Sequence, residues 1–262
     1  MNIVVCIKQV PGTNKVEVDP VTGVLKRNGV ESKMNPYDLY ALETALRIKE
    51  DKGGKVTVIT MGPPQATEII REAFSMGADK GYLLTDRKFA GADVLATSHA
   101  LSQGILKCGD YDLIICGKQT TDGDTAQVGS EIAEWMDIPS VSNVTKILSI
   151  GEKDITVRLE MPTSVEDSKI QFPCLISVEK DIYVPRLPSY LKLKATKDRE
   201  IHTLTLLDLD DKDENTYGLN GSPTQVQRIF PPEVKNDREL WSGEAGEMTD
   251  KIYSKLKELK FV

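Results

Sequence analysis

The 262-residue chain is poor in the side chains that most enzyme chemistry needs. It has two histidines, His99 and His202, so a histidine-based hydrolase or a multi-histidine metal centre would have to be built from almost nothing. Its four cysteines, Cys6, Cys108, Cys116 and Cys174, show no CxxC spacing. That excludes the usual zinc and disulfide frameworks and fits a reducing cytoplasm. No apolar run approaches the roughly 20 residues that cross a bilayer. The opening residues Met1-Asn2-Ile3-Val4-Val5-Cys6 enter a strand pattern at once, without the basic start and cleavage site of a signal peptide. Cations are also in deficit: Lys+Arg 33 against Asp+Glu 40 leaves a net charge of −7, which disfavours nucleic acid and anionic membrane as partners. What is present, 40% hydrophobic and 28% charged residues, is ordinary globular composition. The length suits one large domain with an appendage. A chain of this kind works through its backbone and a borrowed cofactor.

The first half alternates strand and helix signals. Ile3 to Ile7 reads as a buried strand closed by Pro11-Gly12, and Val16 to Leu25, broken by Pro20 and Gly23, as a small hairpin excursion. Apolar residues at helical spacing from Tyr37 to Glu50 predict a helix capped by Asn35 with Pro36 early in its first turn. Three more strand–helix pairs follow: Lys55 to Met61 with Ala66 to Met76, Gly81 to Thr85 with Asp93 to Lys107, and Tyr111 to Cys116 with Thr125 to Met136. This repetition predicts an α/β fold, a doubly wound and mostly parallel sheet with helices on both faces and ligands beyond the carboxyl ends of its strands. Val144 to Ile150, Ile155 to Met161 and Ile170 to Val178 read as an added β-meander. From Tyr183 no core pattern persists; Pro and Gly punctuate a charged stretch that includes Pro231 and Pro232, before an amphipathic helix at Thr249 to Leu259. The expected division is a domain over 1–195 and an extended C-terminal arm over 196–262.

Four strand-end loops converge on one expected crevice. The most informative is Gly117 to Gly129, which leaves the fourth strand and opens a helix. Gly123 is expected to take a positive φ and Asp124 to cap the helix, leaving the amides of Thr125, Ala126, Gln127 and Val128 for an anion. Gly129 permits close approach of a ligand or a neighbouring backbone. Asp122 and Asp124, awkward beside phosphate, suit capping and ribose or amide contacts. The loop lacks the GK[ST] ending of a Walker A motif. Asn35 and Asp38, Met61 with Gly62, and Asp93 with Thr97 and Ser98 start or end elements at the same edge. Each of these is equally an ordinary cap or turn when taken alone. Cys6 and Cys116 read as small buried residues, Lys8 and Lys118 as solvated lysines or counter-charges for a bound anion, and His99 as a helix-face residue.

Several of these segments resemble the β subunit of electron transfer flavoproteins: Val5 to Pro11, Met34 to Tyr37, Glu43 to Lys49, Met61 to Pro63, Ala73 to Asp79, Gly117 to Gln119 and Asp122 to Gly129. The Met76-Gly77-Ala78-Asp79 and Asp122 to Gly129 segments are the most specific. Val184 to Pro188, followed by Lys192 to Lys197, resembles the loop by which that family recognises its dehydrogenase. Ile182 falls near that loop's hydrophobic anchor, and Tyr183, Pro185 and Arg186 are the further partner contacts expected.

The resemblance implies an adenine-nucleotide α-hydrolase-like fold and a heterodimer with an α subunit that carries one FAD. A second nucleotide would lie in this chain's crevice, with Cys6, Asn35, Asp38, Met61, Asp93, Thr97 and residues Asp122 to Ser130 around it. That nucleotide is AMP in conventional members and FAD, reduced by NADH, in bifurcating ones. The small residues and donors of the Asp122 to Gly129 and Gly91 to Ser98 segments favour FAD. The resemblance then extends to ferredoxin or flavodoxin as a low-potential acceptor and to an acyl-CoA or lactate type of flavin-dependent dehydrogenase. The C-terminal arm would dock on the α subunit. An ATP-using or adenylating enzyme on a related sheet is the competing class, weakened by the absence of a Ser/Gly-rich phosphate loop in Cys6 to Gly12. A scaffold whose nucleotide only stabilises an interface is a third.

Overall fold

The computed structural model describes residues 1–12, 32–227 and 238–262. The hairpin expected between Val16 and Leu25, and Pro231 and Pro232, lie outside the described residues. Met1–Gln227 form one compact unit and Arg228–Val262 a second.

The first unit is built on β1 (Asn2–Cys6), β4 (Lys55–Met61), β5 (Lys80–Leu84) and β6 (Leu113–Gly117), with α1 (Pro36–Lys52), α2 (Thr67–Met76), α3 (Val94–Leu106) and α4 (Val128–Trp135) between or after them. A two-stranded ribbon, β2 (Gln9–Pro11) and β3 (Ser32–Met34), precedes α1. Further along come β7 (Ser140–Ile150), β8 (Asp154–Glu160), β9 (Val165–Gln171), β10 (Cys174–Val178), the short helix α5 (Tyr190–Ala195) and β11 (His202–Leu204). Nine strands form one sheet in the order β11-β5-β4-β1-β6-β10-β7-β8-β9. All neighbours from β11 through β7 are parallel, whereas β8 runs antiparallel to both β7 and β9.

The alternation of side chains along each strand decides which helix covers which face. Ile3 and Val5 of β1, with Leu113 and Ile115 of β6, meet Leu42 and Leu46 of α1 and Ile70 and Phe74 of α2. Val4 and Cys6, with Ile114 and Cys116, face the opposite layer, where Ala100 and Ile105 of α3 and Ile132 of α4 pack. The sheet is therefore doubly wound. Cys6 and Cys116 are buried neighbours in register on β1 and β6.

Three expectations change. Ile170 to Val178 is two strands, broken at Phe172-Pro173. The second of them, β10, does not continue the meander but inserts between β6 and β7. A proline has no amide to give to a ladder, so the break falls there. Core packing also continues past Tyr183: β11 pairs with β5, and Leu206, Leu209 and Tyr217 are buried. The first compact unit runs to Gln227. Finally, the last helix, α6 (Ala245–Glu258), starts four residues earlier than its apolar periodicity suggests. It exposes Ile252, Tyr253, Leu256 and Leu259. No helix among the described residues is long and apolar enough to cross a membrane.

Candidate functional site

The chain runs from β1 outward to β4 and β5, then returns to place β6 on the other side of β1. Strand order reverses at that point, so the loops leaving β1 and β6 diverge and leave a crevice at their carboxyl ends. The crevice's floor is held together by α1's first turn. Asn35 is fully buried and is α1's N-cap residue, yet its side chain does not cap the helix. Its Nδ2 donates to Asp38 Oδ1 (2.9 Å) and to the Gln119 carbonyl (2.9 Å), and its Oδ1 accepts from the Thr121 amide (3.2 Å). Asp38 Oδ2 accepts from the Lys8 amide at 2.7 Å. Two side chains, an amide and a carboxyl three residues apart, thus tie the β1 loop, the helix and the β6 loop together. Gly117 makes this approach possible: a Cβ there would lie 2.6 Å from Asp38 Oδ1 and 2.7 Å from the Tyr37 carbonyl carbon.

Burial pushes the Asp38 carboxyl up to about 7, although hydrogen bonds from Asn35 and the Lys8 amide, and the charge of Lys8, oppose the rise. The Lys8 ammonium does not touch it, donating instead to Asp122 Oδ1 at 2.8 Å. Burial raises the Asp122 carboxyl, but Lys8, together with hydrogen bonds from Thr120 and the Asp122 amide, more than offsets this and leaves it below its ordinary value. Lys118 is paired likewise, with Glu179 at 2.5 Å. The Cys116 thiol is raised well above its usual range by its hydrogen bond with Cys6 and by burial, so it is no nucleophile.

The β6 loop differs in detail from its expected form. Gly123 does not take a positive φ; Asp124 (φ 55°) and Ala126 (φ 57°) do. Asp124 accepts from the Gln119 side chain and is not the helix cap. α4 starts at Val128, three residues later than expected, with Gln127 in the N-cap position and no side-chain cap. The consequence favours an anion site. The amides of Thr125, Ala126, Gln127, Val128, Gly129 and Ser130 meet no acceptor among the described residues, and the first intrahelical bond is that of Glu131 to the Gln127 carbonyl. Residues 121–127 are exposed. Gly129 faces the sheet, against Leu175, Cys116 and Ser177, and Ser130 Oγ lies 3.2 Å from Ser142 Oγ.

Met61 ends β4, the strand beside β1, on the same edge. Asp93 caps α3 beyond β5, and its carboxylate is already engaged: Oδ1 accepts from the Ala96 amide, and Oδ2 from the amide (3.0 Å) and hydroxyl (2.7 Å) of Thr224. Thr97 is half-buried in the first turn of α3. Ser98 is fully buried, bonded to Glu131 and to the Trp135 indole, so it joins α3 to α4 and is closed to a ligand. His99 is buried beside it, with Nε2 3.0 Å from Asp211 Oδ2.

The segment after β10 forms a second feature. Ile182 packs partly buried against the main core, and Tyr183 lies beneath the Arg47 guanidinium at 4.6 Å. Pro185 is half-buried. Arg186 is bound by Glu43 and Glu50 of α1. The side chains facing solvent are Val184, Leu187, Tyr190 and Leu191, each at least 75% exposed. Val184 and Leu187 fall in the segment that the family resemblance singled out, whereas Tyr190 and Leu191 open α5, whose six residues are too few to show a periodicity.

Residues 22–209 match the family model described as "Electron transfer flavoprotein domain". The chain belongs to the electron transfer flavoprotein family, as a β subunit. It is 48% identical over 257 residues to the electron transfer flavoprotein subunit beta of Thermoanaerobacterium thermosaccharolyticum, covering 98% of each chain. It is 45% identical over 262 residues, 100% of each, to that of Clostridium acetobutylicum. The caffeyl-CoA reductase-Etf complex subunit CarD of Acetobacterium woodii is also 45% identical over 262 residues, with 98% of each chain covered. An electron transfer flavoprotein β subunit carries a flavin or AMP, and the crevice fits such a group. It offers a run of acceptor-free amides beside the left-handed residues Asp124 and Ala126, and a floor anchored by Asn35 and Asp38, whose close approach Gly117 permits.

Proposed function

We propose that this β subunit holds FAD at the β1–β6 rim and belongs to an electron-bifurcating electron transfer flavoprotein of the cytoplasm. The observation that carries the reading is the stretch of six consecutive amides, Thr125 to Ser130, without an acceptor among the described residues. Backbone amides at a helix start are anion donors, and a diphosphate can engage more of them than a single phosphate can. In this reading the amides grip the diphosphate, while Gly123 and Asp124 shape the turn. Asp122 keeps Lys8 in place beside it. Asn35 and Asp38 hold the two loops at a fixed spacing. Cys6 and Met61 line the floor under adenosine or flavin, and Asp93 with Thr97 closes the far end.

When bound, FAD supplies hydride acceptance from NADH and electron transfer to ferredoxin or flavodoxin and, through the α-subunit FAD, to an acyl-CoA or lactate type of dehydrogenase. No side chain here is required as acid or base, which suits a chain whose buried histidine is committed to Asp211. The protein's task is to bind, orient and exclude water. The exposed ridge of Val184, Leu187, Tyr190 and Leu191 is the docking surface for the dehydrogenase. The exposed face of α6 docks on the α subunit.

The test is nucleotide release from protein co-expressed with its α subunit, quantified by chromatography. The expected result is two FAD per heterodimer and no AMP. One FAD with one AMP contradicts bifurcation and leaves a conventional carrier.

A further inference from the structure

The ridge at 184–191 stands on an ion cluster with no role in nucleotide binding. Glu43 lies mid-way along α1 with only 2% of its side chain exposed. Both of its oxygens are engaged. Oε2 accepts from the Arg186 amide (3.1 Å) and Nε (2.7 Å), while Oε1 accepts from Arg186 Nη2 (3.2 Å) and Arg47 Nε (2.8 Å). Glu50, two turns further along α1, takes the other side of the same guanidinium through Nη1 (2.5 Å) and Nη2 (3.1 Å). Arg47 in turn covers the Tyr183 ring. The far side of the ridge is fastened separately. The Ser189 amide donates to the Ser75 carbonyl (3.0 Å), Lys192 Nζ to Met76 O (3.1 Å), and Arg199 Nη1 to Ala78 O (2.7 Å). Between these fixings the chain turns its apolar side chains outward, with Leu187 at 87% exposure.

We propose that Glu43 is a positioning residue: by clamping Arg186 it holds the apolar ridge in a ready-made docking shape, and Arg186 serves inside this chain and not as a contact to the partner. A planar guanidinium gripped by two carboxylates, one of which also accepts from the Arg186 backbone amide, leaves the loop little freedom to rearrange. A preformed ridge spares the complex the entropy of ordering it on binding. The occupant is the dehydrogenase of the reading above, on which this inference rests. Its surface is apolar with an acidic rim, because between Ser189 and Arg199 this otherwise acidic chain carries Lys192, Lys194, Lys197 and Arg199 against Asp198 alone. Lys194 and Lys197 face solvent.

The test uses the heterodimer in four forms: wild type, Glu43→Gln, Arg186→Lys and Leu187→Ser. Hydrogen–deuterium exchange is followed across 182–193, and KM and kcat are measured with a purified flavin-dependent acyl-CoA dehydrogenase as acceptor. Glu43→Gln is expected to speed exchange on the order of tenfold through loss of the clamp, and to raise KM several-fold with kcat and bound nucleotide unchanged. Arg186→Lys, which keeps the charge and loses the fork, falls between. Leu187→Ser raises KM without altering exchange. Unchanged exchange in both Glu43→Gln and Arg186→Lys overturns the clamp, and the lysine variant decides alone if the glutamine variant fails to fold. Faster exchange with unchanged KM, in a protein whose KM responds to Leu187→Ser, overturns the positioning role. If neither clamp nor ridge substitution moves KM, the docking reading falls and the exchange data still judge the clamp.

Discussion

Asp38 and Glu43 stand five residues apart on one helix, both buried, and their carboxyls move in opposite directions. Burial raises each. At Glu43 the hydrogen bonds and charges of Arg186 and Arg47 overcome it, so the group lies below its ordinary value. At Asp38 the direct donors are a backbone amide and an asparagine, both neutral, while the nearest ammonium goes to Asp122. Its carboxyl is pushed up to about 7. Burial alone therefore does not settle the charge of a carboxyl; the partner does. The same helix supports the crevice with a group poised near neutrality and the exposed ridge with a carboxyl held below its ordinary value.

The sharpest way to break this contrast is to remove the Glu43 carboxylate altogether. Glu43→Ala leaves Arg186 half-buried with Glu50 as its one remaining carboxylate. A loss of about 3–5 kcal/mol is expected, measured by denaturant unfolding at pH 7. Because the native Glu43 carboxyl is lowered, its contribution is complete above the ordinary carboxylate range and disappears as pH falls below it. A loss under 1 kcal/mol would make the cluster a surface ornament.

Asp38 predicts the opposite slope. A raised carboxyl keeps its proton in the folded protein where the unfolded chain has released it, so stability falls as pH rises from about 4 to about 7. The full effect is at most about 4 kcal/mol. Asp38→Asn removes the slope while costing about 1 kcal/mol for a hydrogen bond it cannot make. Unfolding curves of the two proteins should therefore lie close together at pH 5 and separate at pH 8, where the variant is the more stable by up to about 3 kcal/mol. Parallel shifts at both would contradict the assignment. The smallest effect belongs to Lys8 and Asp122, both partly exposed. Lys8→Met should change stability by less than about 1 kcal/mol, and a larger change would mean that this pair, and not Asn35 and Asp38, holds the loops.

The alternation of β-branched strands with amphipathic helices made the doubly wound core legible, because period and burial follow from the same side chains. The crevice was legible as a place, since a sheet that reverses order must open there. Its geometry was not. Left-handed backbone was expected at Gly123 and occurs at Asp124 and Ala126, where loop closure overrides the glycine preference. The Glu43–Arg186 contact joins residues 143 apart in sequence, and no local pattern announces it. Asp93 looked free to meet a ligand because Thr224, its partner, is 131 residues away.

The most direct measurement is an equilibrium titration of the deflavinated heterodimer with FAD, comparing wild type with Gly117→Ala. A methyl at residue 117 would lie 2.6 Å from Asp38 Oδ1, so it must disturb the rim of this chain. Two equivalents of FAD bound by the wild type and one by the variant are expected. Two equivalents bound equally well by both would show that the flavin does not sit at this rim.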